Sequence, residues 1–304
     1  MKIVSLTPSA TEIVYALGLG DQLAAVTDEC DFPPEARTKP IVSRSSLPAG
    51  HLLSAGDIDR AVRERMEEGQ ALYSLDRDLI QRIQPDVILA QDLCRVCAVP
   101  SGDVEDALGE LGVDSKVLSL DPNTLDEVIG TVEAAGKLLG AEERAAEVAA
   151  PMRERIGRIQ QTALRVPSIR TLALEWTDPP FAGGHWIPDM VQIAGGTNLL
   201  SLKEQPSRGV TWREIADSTP EVVVVMPCGY FLSEAEDEAA RLYDNPEFAS
   251  TPAAREGTVF AVDASSYFSR PGPRVVDGLD ILAWAIHPEA YPEPPPGAIV
   301  RVGR

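Results

Sequence analysis

Short apolar runs alternate with helical segments in the first part of the chain. The runs Ile3–Leu6 and Val87–Ala90 have the length and composition of buried strands. The segment Arg77–Ile83 has helical spacing and ends shortly before Pro85, as helices commonly do near a proline. Strands and helices that alternate in this way build parallel sheets, so the pattern predicts an α/β fold.

The same order of elements starts again in the second half. The run Ile169–Leu174 predicts a strand, residues 175–186 a loop, and Ile187–Ala194 a helix. A later helix followed by the apolar run Val222–Val225 repeats the arrangement that precedes and includes Val87–Ala90. The repetition predicts two lobes of similar topology.

Residues 122–166 differ from both halves, because they are rich in alanine, glutamate, arginine and leucine at helical spacing, with a predicted bend near Pro151. The prediction is therefore an α/β protein of two doubly wound lobes with parallel sheets, residues 1–121 and 167–304. A long connecting helix over residues 122–166 joins them.

Every cysteine of the chain follows a predicted strand. In parallel sheets the carboxyl ends of the strands share one edge with the amino ends of the helices, and ligands bind at that edge. Four thiolates in a cleft between two such edges could hold a tetrahedral zinc ion or an iron–sulfur cluster. Separate buried or redox-active thiols are the alternative, which the sequence leaves open. The residues concerned are Cys30, Cys94, Cys97 and Cys228.

Other candidate ligand residues fall in the same loops. His185 lies between a Gly-Gly pair and Trp186, where an imidazole could bind cobalt, iron or zinc or could instead cap the next helix. Aromatic side chains there could stack on a flat macrocycle or simply fill the core. Arginines there could pair with polar ligand groups or with acidic residues of the protein. These aromatic and basic candidates are Trp176, Trp186, Tyr267, Phe268, Arg44, Arg270 and Arg274.

Charge and motifs exclude several function classes. The chain of 304 residues carries 27 basic and 47 acidic side chains, a net charge of -20 that disfavours nucleic acid and anionic membranes as partners. No apolar run has the length of a membrane span, and no P-loop, GxSxG or HExxH motif indicates an enzyme. The first residues lack the features of a secretory signal, which predicts a cytoplasmic location, or a periplasmic or extracellular one if the start is misassigned.

Four segments carry a resemblance to a known family. They are VSLTPSATEIVYALGLGDQLAAVT, LIQRIQPDVILA, DPPFAGGHWIPDMVQIAGGTNLL and YFSRPGPRVVDGLDILA, and together they extend over nearly the whole chain. The sequence resembles the iron-siderophore and cobalamin family of solute-binding proteins that serve ABC importers. Within it, the chain is most similar to the cobalamin-binding branch.

The resemblance implies a class III solute-binding architecture, a small-molecule ligand in the cleft and an importer permease as partner. It also implies no enzymatic activity, and we expect a monomer. The expected ligand is a cobalamin-like corrinoid or another metal-bearing macrocycle; a cytosolic zinc or iron–sulfur protein that uses the cysteines is the alternative. Cleft residues implied by the resemblance are Ser9, Ala10, Thr11, Asp28, Arg44, Phe181, His185, Trp186, Tyr267, Phe268 and Arg270.

Overall fold

A computed structural model describes residues 1–47, 53–93, 99 and 101–303. The strands are β1 (Ile3–Ser5), β2 (Leu23–Thr27), β3 (Ile41–Ser45), β4 (Tyr73–Leu75), β5 (Val87–Ala90), β6 (Lys116–Ser119), β7 (Ile169–Thr177), β8 (Pro180–Ala182), β9 (Gly196–Asn198), β10 (Arg208–Gly209), β11 (Val222–Val225), β12 (Val259–Val262) and β13 (Ile299–Val302). The helices are α1 (Pro8–Ala16), α2 (Ala55–Glu67), α3 (Arg77–Ile83), α4 (Ser101–Leu111), α5 (Leu125–Leu139), α6 (Glu142–Ala163), α7 (Ile187–Ile193), α8 (Trp212–Ser218), α9 (Leu232–Arg241), α10 (Pro246–Ala249), α11 (Pro252–Glu256), α12 (Ala264–Tyr267) and α13 (Val275–Ile286).

The described residues form two compact units. The first takes in residues up to 47, those from 60 to 122 and those from 129 to 150. The second takes in residues 53–59, 123–128 and 151–303. The segment predicted as a connector, 122–166, is thus divided between the two units.

The first unit is built on a six-stranded sheet in the order β4-β3-β2-β1-β5-β6. All neighbouring strands are parallel except the edge strand β4, which pairs antiparallel with β3. On β1, Ile3 and Val4 point to opposite faces, and each joins a different buried cluster. Because helical residues cover both clusters, with Ile13 of α1 in one and Val104 of α4 in the other, the sheet is doubly wound, as predicted.

The second unit contains a seven-stranded sheet. Its main path is β10-β8-β7-β11-β12-β13, and β9 pairs with β7. The central strands β7, β11 and β12 are parallel, whereas β8, β10 and β13 pair antiparallel. Leu172 and Leu174 of β7 pack in the core with Ile215 of α8 and Ala235 of α9, while α13 contacts α7 and β11.

Two helices replace the predicted long connecting helix. The first of them, α5, ends at Leu139 and α6 begins at Glu142. Gly140 between them has a φ of +68°, the left-handed conformation that glycine adopts without steric cost and that commonly ends a helix. Pro151 lies inside α6. In the part of the chain that the structure describes, no helix is both long and apolar enough to cross a membrane.

Candidate functional site

In the first unit, the predicted ligand residues at the start of α1 are buried. Thr7 caps the helix by accepting the backbone N–H of Ala10 at 3.3 Å, and its hydroxyl lies 3.1 Å from that of Ser9. Thr11 donates its hydroxyl to Ser5 Oγ at 2.8 Å and lies 3.0 Å from Cys30 Sγ. Hydrogen bonds within the protein therefore already engage the side chains of Ser9 and Thr11.

Asp28 and Arg44, the other two predicted ligand residues of this unit, are exposed near the carboxyl ends of β2 and β3. The backbone N–H of Asp28 donates to the Ser43 carbonyl at 3.0 Å, and its carboxylate accepts the Thr27 hydroxyl at 3.3 Å. Arg44 lies on β3 opposite Ser74 of β4. Both side chains are therefore accessible to a ligand at this edge.

The cysteines divide into three groups. Cys30, in the first unit, is only 4% exposed and packs in the apolar cluster that contains Ala10 and Ile13. Cys228, in the second unit, is partly exposed, and its backbone N–H donates to the Glu175 carbonyl at 3.1 Å. Cys94 and Cys97 lie outside the described residues. Within the described ranges, no three His, Cys, Asp or Glu side chains form a group that could hold a metal ion, so the zinc and iron–sulfur hypotheses gain no support.

A β-hairpin occupies part of the segment 175–186, and the prediction of a loop there is wrong. Trp176 on β7 is the cross-strand partner of Phe181 on β8. The indole N–H of Trp176 donates to the Asp178 carbonyl at 3.1 Å, and its ring meets that of Tyr230 edge-on with centroids 5.5 Å apart. The pairing holds two partly exposed aromatic rings on a regular strand pair instead of an irregular loop.

His185 follows the hairpin in a constrained backbone conformation, with a φ of +52°. Its N–H donates to the Gln205 carbonyl at 2.7 Å, and a Cβ on the preceding Gly184 would lie only 2.2 Å from the backbone nitrogen of Ser207. The loop and the segment 205–207 thus cross with almost no space between their backbones, which requires glycine at position 184.

The imidazole of His185 is held in one orientation. Its Nδ1 lies 3.2 Å from Oδ1 of Asn123, an amide oxygen that accepts a hydrogen bond. Burial lowers the pKa of His185, which favours the neutral ring at neutral pH. With the proton on Nδ1, the lone pair of Nε2 is left for a metal ion or a hydrogen-bond donor. No described residue bonds this second nitrogen.

Glu175 is a site residue that the sequence does not reveal as such. Its carboxylate Oε2 accepts the Ser207 hydroxyl at 2.8 Å and the Gly184 N–H at 3.1 Å. Burial raises the pKa of Glu175, although the two hydrogen bonds act in the opposite direction. No local sequence pattern indicates this role, because Ser207 lies 32 positions away.

The remaining predicted residues of the second unit differ in exposure, because Trp186, Phe268 and Arg270 are buried whereas Tyr267 is partly exposed. Trp186 and Phe268 are 6% and 2% exposed, and the Trp186 indole N–H donates to the Phe268 carbonyl at 3.0 Å. Arg270 is 9% exposed and donates to Ser265 Oγ at 3.1 Å. Tyr267 is partly exposed, and the guanidinium of Arg274 lies 5.9 Å from its ring centroid. The accessible aromatic candidates are thus Trp176, Phe181 and Tyr267.

Comparison with known proteins identifies the fold family. The sequence profile of the periplasmic binding protein family matches residues 3–265. The chain belongs to the periplasmic binding protein family. Members of this family are solute-binding proteins and not enzymes, and the two α/β lobes correspond to its class III architecture.

Several known proteins match most of the chain. A vitamin B12-binding protein of Vibrio cholerae is 24% identical over 283 residues, 92% of this chain and 86% of the relative. An uncharacterized ABC transporter substrate-binding lipoprotein of Bacillus subtilis, YvrC, is 24% identical over 298 residues, 96% of this chain and 82% of the relative. A periplasmic heme-binding protein from Pseudomonas aeruginosa has the same fold, with a TM-score of 0.75, 21% identity and coverage of 100% and 98% of the two chains.

Proposed function

We propose that the protein is the solute-binding component of an ABC importer and carries a metal-bearing tetrapyrrole-type macrocycle, with a cobalamin-like corrinoid as the favoured ligand. The vitamin B12-binding relative and the heme-binding structural neighbour support a ligand of this class. The substrate-binding lipoprotein among the relatives supports the importer role, in which a membrane permease is the partner.

One observation carries the ligand proposal, namely a neutral imidazole in the segment that directly follows a hairpin with accessible aromatic rings. His185 has a hydrogen-bonded Nδ1 and an Nε2 without a partner among the described residues. Trp176 and Phe181, on the hairpin that precedes it, offer flat apolar surfaces. Aromatic rings stack well on a macrocycle, and neutral imidazole is a common ligand of cobalt and iron.

The test is a comparison of three ligands with purified protein. Hydroxocobalamin has an exchangeable upper ligand, cyanocobalamin a firmly held one, and hemin provides an iron porphyrin. Calorimetry measures binding, and absorbance spectra report a change of metal ligand. We expect at least one ligand to bind in the micromolar range. Absence of both heat and spectral change for all three at tens of micromolar would contradict the proposal.

The variant His185→Gln separates metal ligation from stacking. If Nε2 binds the metal, the variant should lose the spectral change but retain part of the binding heat, since the aromatic surfaces remain. Trp176→Ala should lower the affinity while leaving the spectral change at saturation. An unchanged spectrum of the His185→Gln complex would show that the histidine is not a ligand of the metal.

The location and the oligomeric state stay predictions. Cell fractionation with an antibody to the native protein distinguishes the cytoplasmic location predicted from the sequence from the alternative periplasmic or extracellular one, which fits the proposed importer role. A monomer should give a mass of 32.7 kDa in light scattering, with and without ligand.

A further inference from the structure

A cavity of about 610 Å³ lies within the second unit, apart from the hairpin and His185. Its walls are the second half of α6, one side of α13 and the segment 290–295 that follows α13. Trp176, Phe181, His185 and Trp186 do not line it, although Tyr267 does. The volume falls in the range of small-molecule sites, about 300–1,000 Å³.

The two basic side chains that line this cavity both pair with acidic side chains. Arg155 donates from Nη2 to Asp277 Oδ1 at 2.7 Å and also bonds the carboxylate of Asp280. Arg158 pairs with Glu154, one turn earlier on the same helix, at 2.8 Å. Both guanidinium groups therefore have carboxylate partners.

Among the acidic residues that line the cavity, Glu293 has no basic partner in the part of the chain that the structure describes, whereas Asp277 and Asp280 pair with Arg155. Glu293 lies on the segment 290–295 that lines the cavity, it is exposed, and it forms no ion pair with any residue that the structure describes. Its negative charge adds to the strongly acidic balance of the chain, which attracts cations. The electrostatics of the cavity therefore favour a positively charged ligand.

The apolar part of the wall contains several ring side chains. Tyr267 and Tyr291 contribute aromatic faces, and Pro292, Pro294 and Pro295 contribute rigid aliphatic ones. The Tyr291 hydroxyl donates to the Ile159 carbonyl of α6 at 3.0 Å, which fixes the phenol ring against the helix. Aromatic faces attract organic cations through their quadrupole, and a carboxylate nearby adds to that attraction.

We propose that this cavity binds an amphiphilic organic cation, with its ammonium group near Glu293 and its apolar body against Tyr291 and the prolines. The site differs from the proposed macrocycle site, because neither His185 nor the hairpin residues Trp176 and Phe181 line it, although Tyr267 is a candidate residue of both. Occupancy would hold α6, α13 and the segment 290–295 together within the second unit.

The probe is benzyltrimethylammonium, which combines a quaternary ammonium with a phenyl ring. Its binding to the full chain is measured by calorimetry and by saturation-transfer NMR. Benzenesulfonate has the ring with the opposite charge, and tetramethylammonium has the charge without the ring. We expect saturable binding of benzyltrimethylammonium at millimolar concentrations or below, weaker binding of tetramethylammonium and none of benzenesulfonate.

Matched variants locate the binding site. Glu293→Gln and Tyr291→Ala should each weaken binding of benzyltrimethylammonium by about 3- to 10-fold. Glu289→Gln changes an exposed acid that does not line the cavity and should leave binding unchanged. Tyr291→Phe keeps the ring and should retain most of the affinity, and thermal unfolding of all variants checks that they are folded.

Three results would overturn the proposal. The first is no saturable binding of benzyltrimethylammonium up to about 10 mM. The second is equal weakening by Glu293→Gln and Glu289→Gln, which would indicate a general effect of surface charge. The third is stronger binding of benzenesulfonate than of benzyltrimethylammonium. None of these results bears on corrinoid or heme binding, so the two proposals can fail independently.

Discussion

The Nδ1 atom of His185 lies 3.2 Å from Oδ1 of Asn123, although the two residues are 62 positions apart in the sequence. An amide oxygen can only accept a hydrogen bond, so this contact places the proton of the neutral ring on Nδ1. The consequence is a fixed tautomer whose Nε2 carries the lone pair of the ring. Both residues belong to the second unit.

The variant Asn123→Ala should remove the hydrogen bond that fixes this tautomer, so that both neutral tautomers of His185 become populated. We expect the ¹⁵N resonances of His185 in the wild type to show protonated Nδ1 and unprotonated Nε2, and those of the variant to move towards a mixture. The resonances of the other two histidines of the chain serve as internal controls. The same wild-type spectra should give a pKa below the ordinary 6.5, because burial disfavours the charged ring. A pKa above 6.5 would contradict the buried, neutral histidine.

Glu175 should make stability depend on pH. Burial raises its pKa in the folded protein above the ordinary 4.5, so the unfolded chain loses this proton first as the pH rises. The free energy of unfolding should therefore fall as the pH rises from 4.5 through the folded pKa. The total loss is about 1.4 kcal/mol for each pKa unit of the shift.

The variant Glu175→Gln should lose this part of the pH dependence. Its amide oxygen can still accept the hydrogen bonds of Ser207 and Gly184. Urea unfolding at several pH values measures the difference in the free energy of unfolding between the wild type and the variant. A difference that is constant between pH 4.5 and pH 8 would show that the pKa of Glu175 is not raised.

Glycine 184 should tolerate no side chain. A Cβ at this position would lie 2.2 Å from the backbone nitrogen of Ser207, and backbone atoms cannot move aside as a flexible side chain can. We expect Gly184→Ala to reduce the free energy of unfolding by about 1–3 kcal/mol. The control Gly209→Ala adds a Cβ at 3.6 Å from the Phe181 ring, an ordinary contact, and should change stability by less than about 0.5 kcal/mol. Equal effects of the two changes in chemical denaturation would exclude the close crossing.

Two buried tyrosines should respond in opposite ways to loss of the hydroxyl. The Tyr230 hydroxyl is buried and finds no hydrogen-bond partner among the described residues, and burial together with nearby Glu238 and Glu234 raises its pKa to about 12. Tyr230→Phe removes the unsatisfied group and should stabilise the protein by about 1 kcal/mol.

The Tyr243 hydroxyl provides the matched control, because it donates to the Val302 carbonyl at 3.0 Å. Tyr243→Phe leaves that carbonyl without this donor and should destabilise the protein by about 1 kcal/mol. Thermal and urea unfolding of both variants measure the changes. Destabilisation by both substitutions would imply that the Tyr230 hydroxyl has a partner after all.

Elements whose signals are local were predicted with accurate limits. The helix Arg77–Ile83 and the strands Val87–Ala90 and Val222–Val225 have the same bounds in the sequence prediction and in the structure. Each is a short periodic or apolar run between clear breaks at proline or polar residues. The parallel sheets and the doubly wound arrangement follow from their alternation, and both are confirmed.

Features that depend on distant partners were missed. The strand β8 has only three residues, and its pairing with β7 and β10 is set by contacts that no local pattern shows. The hydrogen bonds of His185 to Asn123 and of Glu175 to Ser207 also join distant segments. The predicted ligand roles of the loop residues stay predictions, although burial of Trp186 and Phe268 shows that these two rings pack inside the second unit.

The assignment of residues 53–59 and 123–128 to the second unit has a practical consequence for protein engineering. Ile58, from the first of these segments, packs against the core of the second unit. A fragment that starts at residue 151 or 167 lacks both segments and leaves that part of the core uncovered. No single cleavage of the polypeptide can therefore release an intact second unit, and expression of either unit alone requires rejoined segments or a permuted gene.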